Sequence, residues 1–197
     1  MPQTHASQFP ADFAPPAALA ESAASAYCDL IDTSDENDAS PSFAFPIETP
    51  HFDRDRADYS ELFVTIWSGH PDPYLREPAR TQRFAVVAAN PASAIEPYFT
   101  FATDDALHAL RIAHELSLWA TSVFDAADKV IDHPTHPDKP IERFHDLHEH
   151  VDANVLGLGE VMWERYDGAE CLRHLRIDLM NAVQNMVDDW IMWISYR

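Results

Sequence analysis

The sequence has few basic residues and few glycines, and each shortage argues against a class of protein. Of its 197 residues, 13 are Lys or Arg and 33 are Asp or Glu, which gives a formal net charge of −20 at pH 7. A surface that binds nucleic acid or an anionic membrane needs the opposite sign, so we expect neither direct nucleic-acid binding nor membrane binding. With only four glycines, the chain also lacks a glycine-rich phosphate-binding loop.

Cysteine and long apolar runs are equally scarce. The two cysteines, Cys28 and Cys171, are too few for a small secreted fold built on disulfides. No run reaches the roughly 18 apolar residues that a membrane helix needs. The N-terminal sequence MPQTHASQFPADF has neither the basic nor the apolar region of a secretory signal. We therefore expect a cytoplasmic protein.

Hydrophobic residues make up 46% of the chain, which is enough to bury a sizeable core. The sequence predicts an α+β fold because strand-like segments precede helix-like segments. In this prediction a small antiparallel sheet of three or four strands, within about residues 43–102, packs on a C-terminal set of three helices, and a further helix lies near the N-terminus. Residues 1–16 are expected to form a flexible arm. Residues 17–197 are expected to form a single domain, which is sheet-rich over 43–102 and helical over 103–197.

The spacing of apolar residues places the individual elements. Strands are predicted over residues 43–48, 59–67, 84–89 and 98–102. Helices are predicted over residues 17–32, 104–131, 141–163 and 169–195, with Thr103 as the N-cap of the second. The last helix carries apolar residues beyond a single stripe, including Ile177. That pattern fits either a central core position or contact with a second copy of the chain.

Acidic residues form two runs in the first third of the chain, where residues 1–53 contain no Lys or Arg. The first run is Asp32, Asp35, Glu36 and Asp38, and the second is Asp53, Asp55, Asp58 and Glu61. A surface dense in carboxylates can resemble duplex DNA, which carries one charge per roughly 1.7 Å of axis. The two runs predict an acidic interaction protein that inhibits a basic partner, such as a nucleic-acid-binding enzyme, by occupying its groove. Generic solubility, adaptation to high salt and cation binding are the alternative explanations of the acidity.

Histidines cluster between residues 133 and 150 and suggest a second function. His145, His148, Glu149 and Asp152 lie side by side on the helix predicted from about residue 141. Imidazole and carboxylate groups in this H-x-x-H-E arrangement could bind one divalent metal ion, although the pattern is not the H-E-x-x-H of zinc proteases. A metal-dependent enzyme is therefore the first alternative, and a solvated helix face is the simpler explanation. The second alternative is an assembly subunit that forms a homodimer through the C-terminal helix. No motif indicates a catalytic residue or an organic cofactor.

Overall fold

The computed structural model describes residues 29–34, 40–48, 62–76, 81–89, 96–132 and 173–195. The chain divides into two compact units. Of the described residues, 29–34, 40–47, 62–76, 81–89 and 96–117 belong to the first unit, here called the sheet unit, and 48, 118–132 and 173–195 belong to the second. The arm predicted over residues 1–16 lies outside the described residues and stays a prediction, as does the single domain predicted over residues 17–197.

Within the described residues, five antiparallel strands form one sheet in which each strand lies beside its neighbour in the chain. The strands are β1 (Ile31–Asp32), β2 (Ser42–Ile47), β3 (Leu62–Ser68), β4 (Phe84–Ala89) and β5 (Phe99–Thr103). β3 lies at the centre, where Val64 is opposite Phe45 on one side and Ala88 on the other. The order is a simple meander, which antiparallel strands form through short or moderate connections.

One face of the sheet is the core of this unit. Along β3, Leu62, Val64 and Ile66 are buried, whereas Phe63 and Trp67 are half-buried. Successive side chains of a strand point to opposite faces, so this alternation identifies the buried face. The register places the buried positions of β2 and β4 beside those of β3. A shift of one residue would turn the apolar side chains out of the core.

Helix α1 (Ala106–Asp132) follows β5 directly, and its first part, residues 106–117, belongs to the sheet unit. The ring of His114 meets Phe45 edge-on, with centroids 5.2 Å apart. The Ser117 hydroxyl donates a hydrogen bond of 2.6 Å to the carbonyl oxygen of Pro46. These contacts place α1 over the buried face of β2. At Pro46, β2 pairs with β3 alone among the described strands, as expected for a residue that has no N–H to donate.

Helix α2 (Arg176–Ser195) belongs to the second unit and follows a 3-10 turn over Arg173–Leu175. It is amphipathic, because Leu179, Val183 and Met186 are fully or nearly fully buried while Ile177 is 74% exposed. Neither α1 nor α2, within the described residues, has an apolar stretch long enough to cross a membrane.

The predicted fold is wrong in the number and kind of its elements. The sheet has five strands, not three or four, and the described residues hold two α-helices in place of an N-terminal helix and three C-terminal helices. Ile31 and Asp32, predicted to end the first helix, pair instead with Ala44 and Phe43. The Thr33 N–H extends this pairing through a 3.0 Å bond to the Ser42 carbonyl. This pairing satisfies backbone groups of β2 that would otherwise lack a partner at this edge of the sheet.

Other differences concern the helices. The N-cap of α1 is Asp105, not Thr103, because Asp105 Oδ1 accepts the N–H groups of Leu107 at 2.9 Å and His108 at 3.2 Å. Thr103 is held in β5 opposite Phe84, and its hydroxyl accepts the Asp105 N–H at 3.1 Å. The helix predicted over 141–163 and residues 17–28 of the first predicted helix lie outside the described residues.

Candidate functional site

Of the eight acidic residues predicted to contact a partner, Asp32 is the one that lies within the described residues. Asp32 is half-buried at the end of β1, and its Oδ1 accepts the Ser34 N–H at 3.1 Å. One oxygen of its carboxylate therefore stabilises the turn that follows β1. The other seven predicted contacts lie outside the described residues and stay predictions: Asp35, Glu36, Asp38, Asp53, Asp55, Asp58 and Glu61.

The predicted metal ligands also lie outside the described residues: His145, His148, Glu149 and Asp152. The metal site is therefore untested at these four positions. Among the residues that the structure does describe, no three His, Cys, Asp or Glu side chains are grouped so as to hold a metal ion.

The connection between β3 and β4 contains a dense set of polar contacts. At its start, the Gly69 N–H donates a 2.7 Å bond to the Arg83 carbonyl oxygen at its end. A Cβ at position 69 would lie 3.1 Å from that oxygen, so any larger residue would force the two strands apart slightly. Between these ends, Pro73–Leu75 forms a 3-10 turn, and Asp72 Oδ1 caps it by accepting the Tyr74 N–H at 3.0 Å.

Arg76 fixes this connection from inside. Its side chain is only 7% exposed. The guanidinium donates to the carbonyl oxygens of His70 at 2.8 Å, Pro71 at 3.2 Å and Thr81 at 2.8 Å. One side chain thus bonds both the outgoing and the returning strand of the loop. The planar guanidinium suits this task because its donors point in several fixed directions.

Asp104 joins the same network to the start of α1. Its Oδ1 accepts a 2.9 Å bond from Arg76 Nη1 and a 2.8 Å bond from the Arg83 N–H. The Asp104 side chain is nevertheless 65% exposed, and Asp105 beside it is exposed as well. The two carboxylates therefore hold structure and also face solvent.

Large apolar residues lie at the outer end of this connection. Tyr74 is 94% exposed and Leu75 is 66% exposed. Asp72, which caps the turn, is exposed too. We call residues 72–75 the β3–β4 tip. The sequence GHPDP at residues 69–73 predicts a turn, and the Asp-Pro pair within it is the signal that could have marked the tip. No sequence pattern shows that Arg76 is buried beneath it.

Exposed charge in the described part of the sheet unit is mostly negative. The exposed acids there are Asp29, Asp72, Glu96, Asp104 and Asp105. Among the arginines, Arg76 is buried in the loop, and Arg83 is half-buried with its guanidinium carbon 5.2 Å from the centre of the Phe84 ring. Arg111 is exposed. In the described part of the second unit, the exposed acids are Glu48, Asp125 and Asp178, and the exposed basic residues are Arg173 and His174.

Comparison with known proteins assigns no family to the chain. No protein-family model matches it, and no curated protein or solved structure matches it either. Its function has to be inferred from its own residues.

Proposed function

We propose that this chain is an acidic interaction protein of the cytoplasm that binds a basic partner protein. In the form we favour, the partner is a nucleic-acid-binding enzyme, and the acidic chain inhibits it by occupying its basic groove. The observation that carries the proposal is the unequal use of charge in the sheet unit. In the described part of this unit Arg76 is buried, Arg83 is half-buried and Arg111 alone among the arginines is exposed, whereas five acids face solvent.

Net charge and exposed charge act at different ranges. A net charge of −20 sets the long-range field, which draws a cationic partner toward the chain and speeds association. At contact, only groups that reach the surface bind the partner. Because Arg76 donates to carbonyls and to Asp104, its charge offers no contact point to an anionic partner. Long-range attraction and contact chemistry thus both favour a partner rich in Lys and Arg.

The two acidic runs are the contacts that this proposal assigns. Residues 32–38 and 53–61 hold eight acids and two arginines, Arg54 and Arg56, and their density resembles a nucleic-acid backbone more than scattered surface acids do. Generic solubility or salt adaptation makes a different prediction, since it requires total charge and no particular positions. Position-specific substitution separates the two explanations.

The first experiment measures salt dependence. Basic proteins that elute from the immobilised chain in a salt gradient are identified, and the purified partner is titrated by calorimetry at 50, 150 and 300 mM NaCl. We expect affinity to fall at least about tenfold across this range, because the Debye length is about 10 Å at 0.1 M salt and shortens as salt rises. Affinity that does not change with salt would contradict the proposal.

The second experiment compares two variants of equal charge. Each removes three negative charges and changes the net charge from −20 to −17. The test variant is Asp35→Asn, Asp38→Asn and Asp55→Asn. The control variant is Glu48→Gln, Asp125→Asn and Asp178→Asn, all at exposed positions of the second unit.

We expect the test variant to bind at least about tenfold more weakly and the control to stay within about threefold, because contact charges matter more than distant ones. Equal weakening by both would show that total charge alone acts, and the runs would then not be the contacts. Unchanged binding in both variants would count against an electrostatic interface of any kind.

A further inference from the structure

We propose that the β3–β4 tip is the apolar anchor of the partner-binding surface, and that it inserts into an apolar pocket rimmed by Lys and Arg side chains. The basic character of the rim rests on the proposed function. The anchor itself rests on the exposure, order and surroundings of Tyr74 and Leu75.

Two large apolar side chains of the tip are exposed to solvent. Tyr74 is 94% exposed and Leu75, beside it, is 66% exposed. A single exposed apolar residue is ordinary on a protein surface. Two large neighbours at the outer end of one ordered turn are less ordinary. Tyrosine is also among the residues that contribute most to protein interfaces, because it provides a large contact area for the loss of few rotamers.

Several hydrogen bonds and a proline hold the tip in place. The turn that carries Tyr74 is capped by Asp72 and contains Pro73, which restricts its backbone. Beneath it, Arg76 bonds three carbonyls and Asp104. These bonds bury an arginine to fix a loop whose two large apolar side chains face solvent. A surface fixed before binding loses less conformational entropy when it binds.

Among the described residues, the exposed charge around the tip is negative and indicates a basic partner. Asp72 lies within the tip, and Asp104 is in contact with Arg76, the next residue after it. Both carboxylates are exposed, whereas the Arg76 guanidinium is covered. A pocket that receives Tyr74 therefore meets carboxylates at its edge, and Lys or Arg side chains on the pocket rim complement them.

The test begins with a photo-crosslinking amino acid, benzoylphenylalanine, placed at position 74 of the full chain. The matched control places it at position 107, because Leu107 is in the same unit and is 54% exposed. In extract of the native host, we expect crosslinking to one basic protein from position 74 and not from position 107. Absence of a product at position 74, equal products from both positions, or capture of an acidic protein would overturn the proposal.

The captured protein is then purified, and its binding kinetics are measured by surface plasmon resonance. We expect Tyr74→Ala/Leu75→Ala to raise the dissociation rate about 30-fold, as for loss of an interface hot spot, and to change the association rate less than about threefold. Leu107→Ala should change neither. The unfolding midpoint of the double variant should match that of the wild type, because both side chains are exposed. Agreement of the midpoints would show that the loss is not due to misfolding.

Failure of the anchor and failure of the proposed function give different results. If the double variant dissociates like the wild type while binding remains salt-dependent, the anchor is wrong and the acidic interaction stands. If binding does not change with salt but is lost in the double variant, the tip makes contact but the basic rim is wrong. The proposed function then fails with the rim.

Discussion

Replacing Arg76 with Met tests whether the buried guanidinium holds the β3–β4 connection. Methionine retains an unbranched apolar stem that can fill most of the space, so the substitution mainly removes the charge and the donors. Three loop carbonyls and one Asp104 oxygen then lose a bond. The change also makes the net charge more negative, from −20 to −21, so a control with the same change in charge is needed.

The expected loss in the free energy of unfolding follows from the individual hydrogen bonds that Arg76 makes. A hydrogen bond that involves a charged group contributes about 1.5–3 kcal/mol. The 2.8 Å bonds to His70 and Thr81 fall in this class. The 3.2 Å bond to Pro71 is longer and contributes less. The pair with Asp104, whose side chain is 65% exposed, adds at most about 1 kcal/mol, because solvent screens it. Water replaces part of what the carbonyls lose, so we expect a loss of about 2–4 kcal/mol in all.

Hydrogen exchange is the suitable assay because it measures protection at individual amides, so that the amides of the sheet unit can be followed separately from the rest of the chain. The Gly69 amide bonds the Arg83 carbonyl, and the amides of β3 and β4 lie next to it in the sheet. A loss of 2–4 kcal/mol corresponds to about a 30- to 700-fold loss of protection. Arg111→Met removes the same charge from an exposed position of α1 and should cost less than about 0.5 kcal/mol. If Arg76→Met costs no more than this control, the guanidinium does not hold the connection.

Three further substitutions test the remaining structure by urea unfolding. Ser117→Ala should lower the free energy of unfolding by about 1–3 kcal/mol, because it leaves the Pro46 carbonyl without its 2.6 Å partner. The control Ser122→Ala loses a bond within its own helix and should change the free energy of unfolding by less than about 0.5 kcal/mol. Asp105→Ala should cost about 0.5–2 kcal/mol through loss of the N-cap, and Asp105→Asn should retain most of the stability; an equal loss in both would contradict the capping role. Leu179→Ala should cost about 2–5 kcal/mol at a fully buried site, while Ile177→Ala, at a 74% exposed site, should be nearly neutral; similar losses would contradict the assigned buried face of α2.

The central strands were the most predictable part of the fold. β4 is predicted and observed over residues 84–89, and β3 is predicted over 59–67 and observed over 62–68. Both have apolar residues on a face that the core covers, so the sequence pattern and the tertiary structure select the same residues. α1 is similarly close, predicted to end at residue 131 and observed to end at 132.

β1 was not predictable, and its absence from the predicted sheet is one reason that the predicted fold is wrong. Two residues carry no periodicity, and Ile31 and Asp32 become a strand only through pairing with β2. The N-cap shows the same limit. Thr103 and Asp105 are both suitable residues, and the pairing of Thr103 with Phe84 decides between them.

The candidate site depended still more on tertiary structure. The Arg76 guanidinium donates hydrogen bonds to residues 70, 71, 81 and 104. No local sequence pattern connects those four positions. Arginine side chains are mostly exposed in proteins, so the sequence gives no sign that Arg76 is buried. Runs of acids are visible in the sequence, whereas the exposure of Tyr74 depends on how the connection folds.

Arg76→Met also links the stability of the loop to its role in binding. The variant keeps Tyr74, Leu75 and every acid, so it changes neither the anchor side chains nor the exposed carboxylates. If the tip binds because it is held in one conformation, the variant loses more conformational entropy than the wild type when it binds the partner. Its complex should therefore dissociate faster than that of the wild type. Association should change little, because long-range attraction depends on net charge.

Arg111→Met, with the same net charge, should bind like the wild type. If Arg76→Met loosens the loop by hydrogen exchange and yet dissociates at the wild-type rate, then the order of the tip does not contribute to binding, and Arg76 serves the fold alone.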